Sequence, residues 1–293
     1  MALLNYLLYY GFIYPLSLLP FPILFLISDV TYVFIYRVVG YRKEVVRLNL
    51  KNVFPEKSEK ELLLIEKQFY RHFCDLIVES IKNFTISADA LSKRMQCVNP
   101  ELLKDYYEKG RSVIAVTGHY ANWEWAGTLF GYYSKHKAMG IYLPLKNKFW
   151  DKLMRDSRGK AGTFLVATKD VGNFFNEHKD IPVAAGFIAD QSPGNPDKAF
   201  WMNFLNQDTA IQFGTEKYAN EYNCVVVYGA VKKIKRGYYE LKYHTITENP
   251  GQLKYGELTA LHTRFNEQLI KSAPQYWLWT HKRWKHKRKP TNI

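Results

Sequence analysis

The chain lacks most of the features that would make its chemistry easy to assign. Its 293 residues include only three cysteines, Cys74, Cys97 and Cys224, far apart and in no metal-ligand spacing. An odd, scattered set argues against a disulfide framework and a zinc site, and fits buried thiols in a reducing compartment. There is no glycine-rich phosphate loop and no Cys/His ligand cluster, so no metal or nucleotide cofactor is expected. No serine stands in a Gly-x-Ser-x-Gly elbow, which removes the usual serine nucleophile. Neither an internal repeat nor a low-complexity linker breaks the chain. Charge is almost missing from the first 36 residues, where Asp29 stands alone.

What is present points to a folded protein with an anionic partner. Hydrophobic residues make up 47% and aromatics 16%, enough for a sizeable core and too many for wholesale disorder. Lysine and arginine number 41 against 27 acidic residues, a formal charge of +14. Such an excess suits nucleic acid, a membrane face, a phosphorylated lipid or an acidic protein. No nucleic-acid-binding motif is found, so a basic nucleic-acid-binding protein is a remote alternative and no nucleic-acid partner is expected.

The run Leu16–Ile35 is apolar and long enough to cross a bilayer core of about 30 Å. Pro15, Pro20 and Pro22 interrupt it, leaving open whether it spans the membrane or lies in the interface. It has neither the basic start nor the small-residue cleavage site of a signal peptide. Arg37, Arg42, Lys43, Arg47 and Lys51 follow, which keeps the body of the protein cytoplasmic by the positive-inside rule. A membrane anchor over residues 1–36 ahead of a catalytic domain over 37–293 is the expectation. The competing reading is a buried helix of a soluble domain.

Beyond the anchor, a helical segment ends near Asn52–Pro55, and Ser58-Glu59-Lys60-Glu61 has the form of a capping box. Leu62, Ile65, Phe69, Phe73, Leu76, Ile77 and Ile81 then recur at helical spacing. Asn99-Pro100-Glu101 starts another helix, which Gly110 ends. Strands are predicted at Ser112–Thr117, Ala138–Leu143, Thr163–Ala167, Pro182–Ala189, Cys224–Val231 and Tyr238–Ile246. The last two are expected to pair antiparallel through Lys235-Arg236-Gly237. Helical stretches separate the earlier strands. That alternation predicts a single α/β domain with a mainly parallel mixed sheet flanked by helices, carrying an N-terminal membrane-anchoring helix.

The most informative stretch is Gly118-His119-Tyr120-Ala121-Asn122-Trp123-Glu124, directly after the apolar run Val113–Val116. In a parallel sheet, active sites gather at the carboxyl ends of strands, where His119 would stand. A neutral imidazole can take a proton from a hydroxyl, and a carboxylate can hold the ring in the right tautomer; Glu124 is the expected carboxylate. A spacing of five is not same-face on an ideal helix, so His119 should precede the helix and Glu124 fall in its first or second turn. Asn122 either caps that helix or fixes Glu124, and Trp123 reads as core. Against these stands the ordinary reading of a lone histidine as a satisfied structural residue.

His119-Tyr120-Ala121-Asn122-Trp123-Glu124 resembles the His-x-x-Asn-Trp-Glu signature of the bacterial lipid A late acyltransferases, the lauroyl/myristoyl acyltransferase group. That group is distantly related to the glycerol-3-phosphate and lysophospholipid acyltransferases. Further blocks follow in order: Tyr142–Asn147 with Arg158-Gly159-Lys160-Ala161-Gly162, then Ala189-Asp190-Gln191-Ser192-Pro193-Gly194, then Pro274–Trp284. Tyr120-Ala121 replaces the usual Phe-Gly, and Lys282 stands where arginine is usual, which weakens a bidentate phosphate contact there. Phe200–Leu205 is bulkier than the family's Pro-Phe-Phe-Gly pattern, and this bears on the acceptor.

The resemblance implies a glycerol-3-phosphate acyltransferase-like fold without cofactor or metal. It implies transfer of a fatty acyl chain from a thioester, with acyl carrier protein as donor, to a hydroxyl of a lipid A precursor at the inner membrane. His119 would be the base with Glu124 beside it. Arg158, or backbone N–H groups at the helix start, would face the oxyanion. Asn122, Asn147, Asp190, Gln191 and Arg283 are the candidate substrate-binding residues. Asp190 and Gln191 read equally well as a turn cap, Asn147 as local turn chemistry, and Arg158 as one arginine in a run of surface charge. The same chemistry on another amphiphile, such as a lysophospholipid, aminolipid or glycolipid, is the alternative. The tail from His281 to Lys289, beside Trp277, Trp279 and Trp284, is expected to meet a membrane surface and to steer an acidic carrier protein.

Overall fold

Val113, Ile114, Ala115 and Val116 are all buried, the mark of a strand covered on both faces. Val113 and Ala115 point into one hydrophobic layer, with Phe69, Tyr70 and Trp125. Ile114 and Val116 point into the other, with Phe174, Phe175 and Leu258. This computed structural model, which describes residues 2–288, is therefore a three-layer α/β protein built on that strand. Its nine strands are β1 (Met95–Cys97), β2 (Val113–Thr117), β3 (Lys137–Tyr142), β4 (Phe164–Ala167), β5 (Val183–Ile188), β6 (Phe200–Phe204), β7 (Gln207–Ile211), β8 (Val225–Lys235) and β9 (Tyr238–Thr247). Seven form one sheet in the order β1-β9-β8-β2-β5-β3-β4. All its pairings are parallel except β8 with β9.

Six of these strands lie where the apolar runs predict them. The β8–β9 hairpin closes as expected through Arg236-Gly237, Gly237 at φ +73° supplying the left-handed turn conformation. β1, β6 and β7 were not predicted. β1 has only three residues, and β6 and β7 pair solely with each other, so no buried, continuous apolar run announces them. Leu205 and Asn206, both at positive φ, make the tight turn between β6 and β7.

The helices follow local signals. Ser58 and Glu61 form the reciprocal capping box, opening a helix over Glu59–Lys82 whose apolar stripe lies against the sheet. The helix Glu101–Glu108 ends before Gly110 at φ +68°. At the N-terminus, helical turns run Ala2–Leu18 and break at Leu19-Pro20, where proline has no N–H to continue the ladder. A second apolar helix runs Phe21–Val39, long and apolar enough to cross a membrane, with its last turns widened. It packs against the Glu59–Lys82 helix. Lys289, counted in the basic tail, lies outside the described residues.

Register positions the site. Thr117, the last residue of β2, stands opposite Ile188, the last of β5, and the Ala189 N–H donates to the Thr117 carbonyl at 3.1 Å. Two residues further on, His119 and Asp190 leave adjacent parallel strands side by side.

Candidate active site

Gly118 lets the two strand ends close together. A Cβ there would lie 2.7 Å from Asn266 Oδ1 and 2.8 Å from Asp190 Oδ2, contacts that real side chains do not make. His119 follows, with its side chain 18% exposed. Its Nδ1 lies 2.6 Å from Asp190 Oδ1, and its backbone N–H donates to Asp190 Oδ2 at 2.7 Å. The Trp277 indole N–H donates to the same Oδ2 at 2.8 Å. Burial alone would raise the Asp190 carboxyl, but the His119 charge and these N–H donors outweigh it and hold it below its ordinary value. An ionised carboxylate only accepts, so His119 Nδ1 carries the proton in this pair. Nε2 then faces the Gln191 side-chain amide, 3.0 Å away.

The carboxylate bonded to the His119 ring is thus Asp190 and not the expected Glu124. Glu124 lies on the short helix Trp123–Thr128, and its carboxylate is taken by Arg158: Nε to Oε2 at 2.8 Å and Nη2 to Oε1 at 2.6 Å. The helix turns Glu124 away from the histidine that precedes it. Arg158, near the end of the helix Lys148–Gly159, reaches across to meet it. Both side chains of this bidentate pair stay accessible, at 29% for Arg158 and 22% for Glu124. Trp123, expected in the core, is only partly buried and sets its ring edge-on to His119 at 5.1 Å; Trp125 fills the core instead.

The loop between strand and helix is held from two sides. Ala121 sits at φ +49°, its N–H bonded to the Tyr276 carbonyl at 2.9 Å, while Tyr120 bridges to Trp277. Asn122 Oδ1 caps the helix at the Trp125 N–H. Its amide donates to the buried Glu79 at 2.7 Å, and the Tyr239 hydroxyl donates to the same Glu79 oxygen at 2.8 Å. Desolvation raises the Glu79 carboxyl to about 7, although Lys233 and these two donors pull it down. Glu79 is absent from any sequence motif. It is one of several polar residues, with Glu66, His72 and Asp75, that the Glu59–Lys82 helix buries among its apolar ones.

Several expected substrate-binding residues serve the frame. Asn122 is buried behind the loop, and Asn147 caps the Lys148–Gly159 helix. Arg283 is only 2% exposed; it donates Nη2 to the Ala210 carbonyl at 2.8 Å and lies over the Phe204 ring. Burial pushes Arg283 down to about 10, against the pull of Asp190. A cavity of about 10 Å³ behind Asp190 is lined in part by Tyr228, His262, Asn266 and Arg283, roughly room for one water. The C-terminal tail is not a free basic strip. Trp277 and Trp279 are buried, Trp284 Nε1 donates to Thr209, and Arg288 pairs with Asp208 at 3.0 Å, so the tail lies along the β6–β7 hairpin. Of the predicted set, His119, Asp190 and Gln191 converge, while Glu124 and Arg158 form a second cluster close by in the chain.

A histidine–carboxylate couple stands at the C-terminal edge of a parallel sheet, the place where α/β proteins gather their ligand sites. The family described as Bacterial lipid A biosynthesis acyltransferase matches residues 2–286, and the chain belongs to that family. It is similar to the Lipid A biosynthesis lauroyltransferase of Escherichia coli (strain K12), 23% identical over 270 residues, covering 91% of this chain and 87% of the relative. The protein is thus an acyltransferase of lipid A biosynthesis.

Proposed function

We propose that this enzyme transfers a fatty acyl chain from acyl carrier protein to a hydroxyl of a lipid A precursor, with His119 as general base. As the hydroxyl oxygen attacks the thioester carbon, its proton passes to His119 Nε2 while Asp190 holds the Nδ1–H and stabilises the forming imidazolium. The tetrahedral intermediate collapses by breaking the C–S bond. The departing thiolate takes the proton from Nε2, leaving the new ester and the free carrier thiol. Arg158 engages Glu124 through two of its five N–H donors, so others are free to face the oxyanion or an acceptor phosphate. Gln191, on the Nε2 side of the ring, is suited to hold the acceptor hydroxyl.

The observation that carries this reading is the 2.6 Å contact of His119 Nδ1 with a buried carboxylate, which leaves Nε2 as the basic nitrogen once the acceptor hydroxyl takes the place of the Gln191 amide beside it. Acyl carrier protein as donor is supported by the +14 charge and the block pattern. Residues 1–36 serve as the membrane segment and 37–293 as the catalytic body, facing the cytoplasm at the inner membrane. The apolar Phe21–Val39 helix and the arginines and lysines from Arg37 onward support that placement.

The test is turnover of purified His119→Ala with acyl carrier protein thioester and lipid A precursor, alongside its thermal unfolding. Loss of ester formation with an unchanged Tm is expected; ester formation at the parent rate would overturn the mechanism. A second reading, another amphiphile as acceptor, is favoured by one feature: the bulky Phe200–Phe204 strand, which reaches Trp277 beside Asp190 through Phe204. Mass spectrometry of lipids from cells with and without the gene separates the two, since either lipid A or another lipid loses one acyl chain.

A further inference from the structure

The Phe21–Val39 helix has two unlike sides. Leu24, Ser28, Tyr32 and Tyr36, spaced by four, are buried, while Ile23, Leu26, Val30, Phe34 and Val38 are exposed, Val38 at 71%. Among the described residues, seventeen of the twenty-nine exposed large hydrophobic side chains lie before Arg42. A core helix of a soluble domain would bury them, and a soluble monomer rarely gathers so many in one patch.

A membrane-crossing helix fits no better. Polar links tie this segment along its whole length to the rest of the protein. Lys82 Nζ donates to the Ser17 and Leu19 carbonyls at 2.9 and 3.0 Å. Ser28 donates to Asp75 at 2.8 Å, and Arg236 pairs with both Asp29 and Asp75 at 2.7 Å. Tyr36 donates at 2.9 Å to Glu66, which also takes Arg47. The partner helix Glu59–Lys82 presents Lys60, Lys67 and Arg71 to solvent. Standing this bundle upright in a bilayer would carry those charges into hydrocarbon.

We propose that the N-terminal helices lie flat in one leaflet of an anionic phospholipid bilayer, the Ile23–Val38 face inward, and do not cross it. This rests on the membrane attachment proposed above and assigns its geometry. The turns before Pro20 extend the same surface, with Leu3, Leu7 and Phe12 exposed. Arg37, Lys82 and Arg94, on or beside this segment, supply the charge that anionic headgroups complement. The arrangement also bears on catalysis. Trp150 Nε1 donates to Asn5 Oδ1 at 3.1 Å and Phe149 packs on Tyr6, so the helix carrying Arg158 sits directly on the membrane-lying one. An acceptor lipid then enters the site without leaving its leaflet.

The test uses the full chain with a single introduced cysteine, Ile23→Cys, Val30→Cys or Val38→Cys, each carrying a fluorophore. The proteins are bound to vesicles of phosphatidylethanolamine and phosphatidylglycerol containing lipids spin-labelled at the headgroup or mid-chain. Unsubstituted protein, whose Cys74 and Cys224 are buried, serves as the labelling blank. Equal, shallow depths at all three positions are expected. A deep Val30 between two shallow ends, separated along the normal by up to the ~22 Å that fifteen helical residues span, would establish a crossing helix and overturn the proposal. Protein left in the supernatant would overturn it too, as would a soluble dimer shielding the three labels from an aqueous quencher, which would assign the face to a second copy. Acyl transfer assayed in detergent micelles reports the proposed reaction separately from all of these.

Discussion

Asp190 gives one carboxylate oxygen to the ring of His119 and the other to its backbone: Oδ1 meets Nδ1 at 2.6 Å and Oδ2 meets the peptide N–H at 2.7 Å. The two residues are 71 positions apart in sequence. Parallel register of β2 with β5 alone makes them neighbours.

Replacing Asp190 by asparagine keeps the size of the side chain but removes the charge that stabilises the imidazolium and fixes the tautomer. Asp190→Asn should lower kcat by about 10²–10⁴, the range typical of general-base catalysis, with a much smaller change in KM for the thioester. Steady-state kinetics on the purified variant decides it. Parent-level kcat would show that Asp190 plays no part in the proton transfer.

Glu124 and Arg158 should behave as one unit. Their double hydrogen bond means that removing either partner strands the other. Glu124→Ala, Arg158→Ala and the double variant should therefore show similar losses of kcat/KM. A double-mutant cycle measures this directly, and losses that simply multiply would refute the coupling.

Gly118→Ala forces a methyl group into Asn266 and Asp190. Overpacking of this kind costs about 1–3 kcal/mol, so the denaturation midpoint should fall with an unchanged slope. Activity should fall further than stability accounts for, because the displaced atom is the carboxylate that orients His119. An alanine variant with parent activity would mean that the strand ends need not approach so closely.

Glu79 gives a pH signature. Its folded-state pKa is raised by burial, to about 7, above the ordinary value of 4.5. The folded protein therefore binds the proton more tightly than the unfolded chain. Its contribution is most favourable below about pH 4.5 and is lost as pH rises through about 7. The parent minus Glu79→Gln difference in unfolding free energy should decline across that window by a few kcal/mol at most. Denaturant titrations at a series of pH values test this, and a flat or rising difference would contradict it.

Features carried by neighbouring residues were legible in the sequence. The Ser58/Glu61 capping box, the apolar runs of β2 and β5, the β8–β9 turn at Gly237 and the placement of His119 just ahead of a helix are each encoded within a few positions. β6 and β7 were not legible, because the Leu205-Asn206 turn between them has positive φ without the glycine that usually announces one. The tail from His281 onward reads as a basic, aromatic-rich segment for a membrane surface, because composition cannot show that Trp277, Trp279 and Arg283 are covered by the rest of the chain.

By itself, then, the sequence determined the candidate histidine, the helix after it and the α/β layering, since these follow from periodicity, caps and local spacing. Which carboxylate serves His119 was decided only by tertiary structure. Glu124, five residues away, is turned aside by its own helix to Arg158, while Asp190 is delivered by the neighbouring strand. Short-range chain geometry sets direction, and register between distant strands sets partnership.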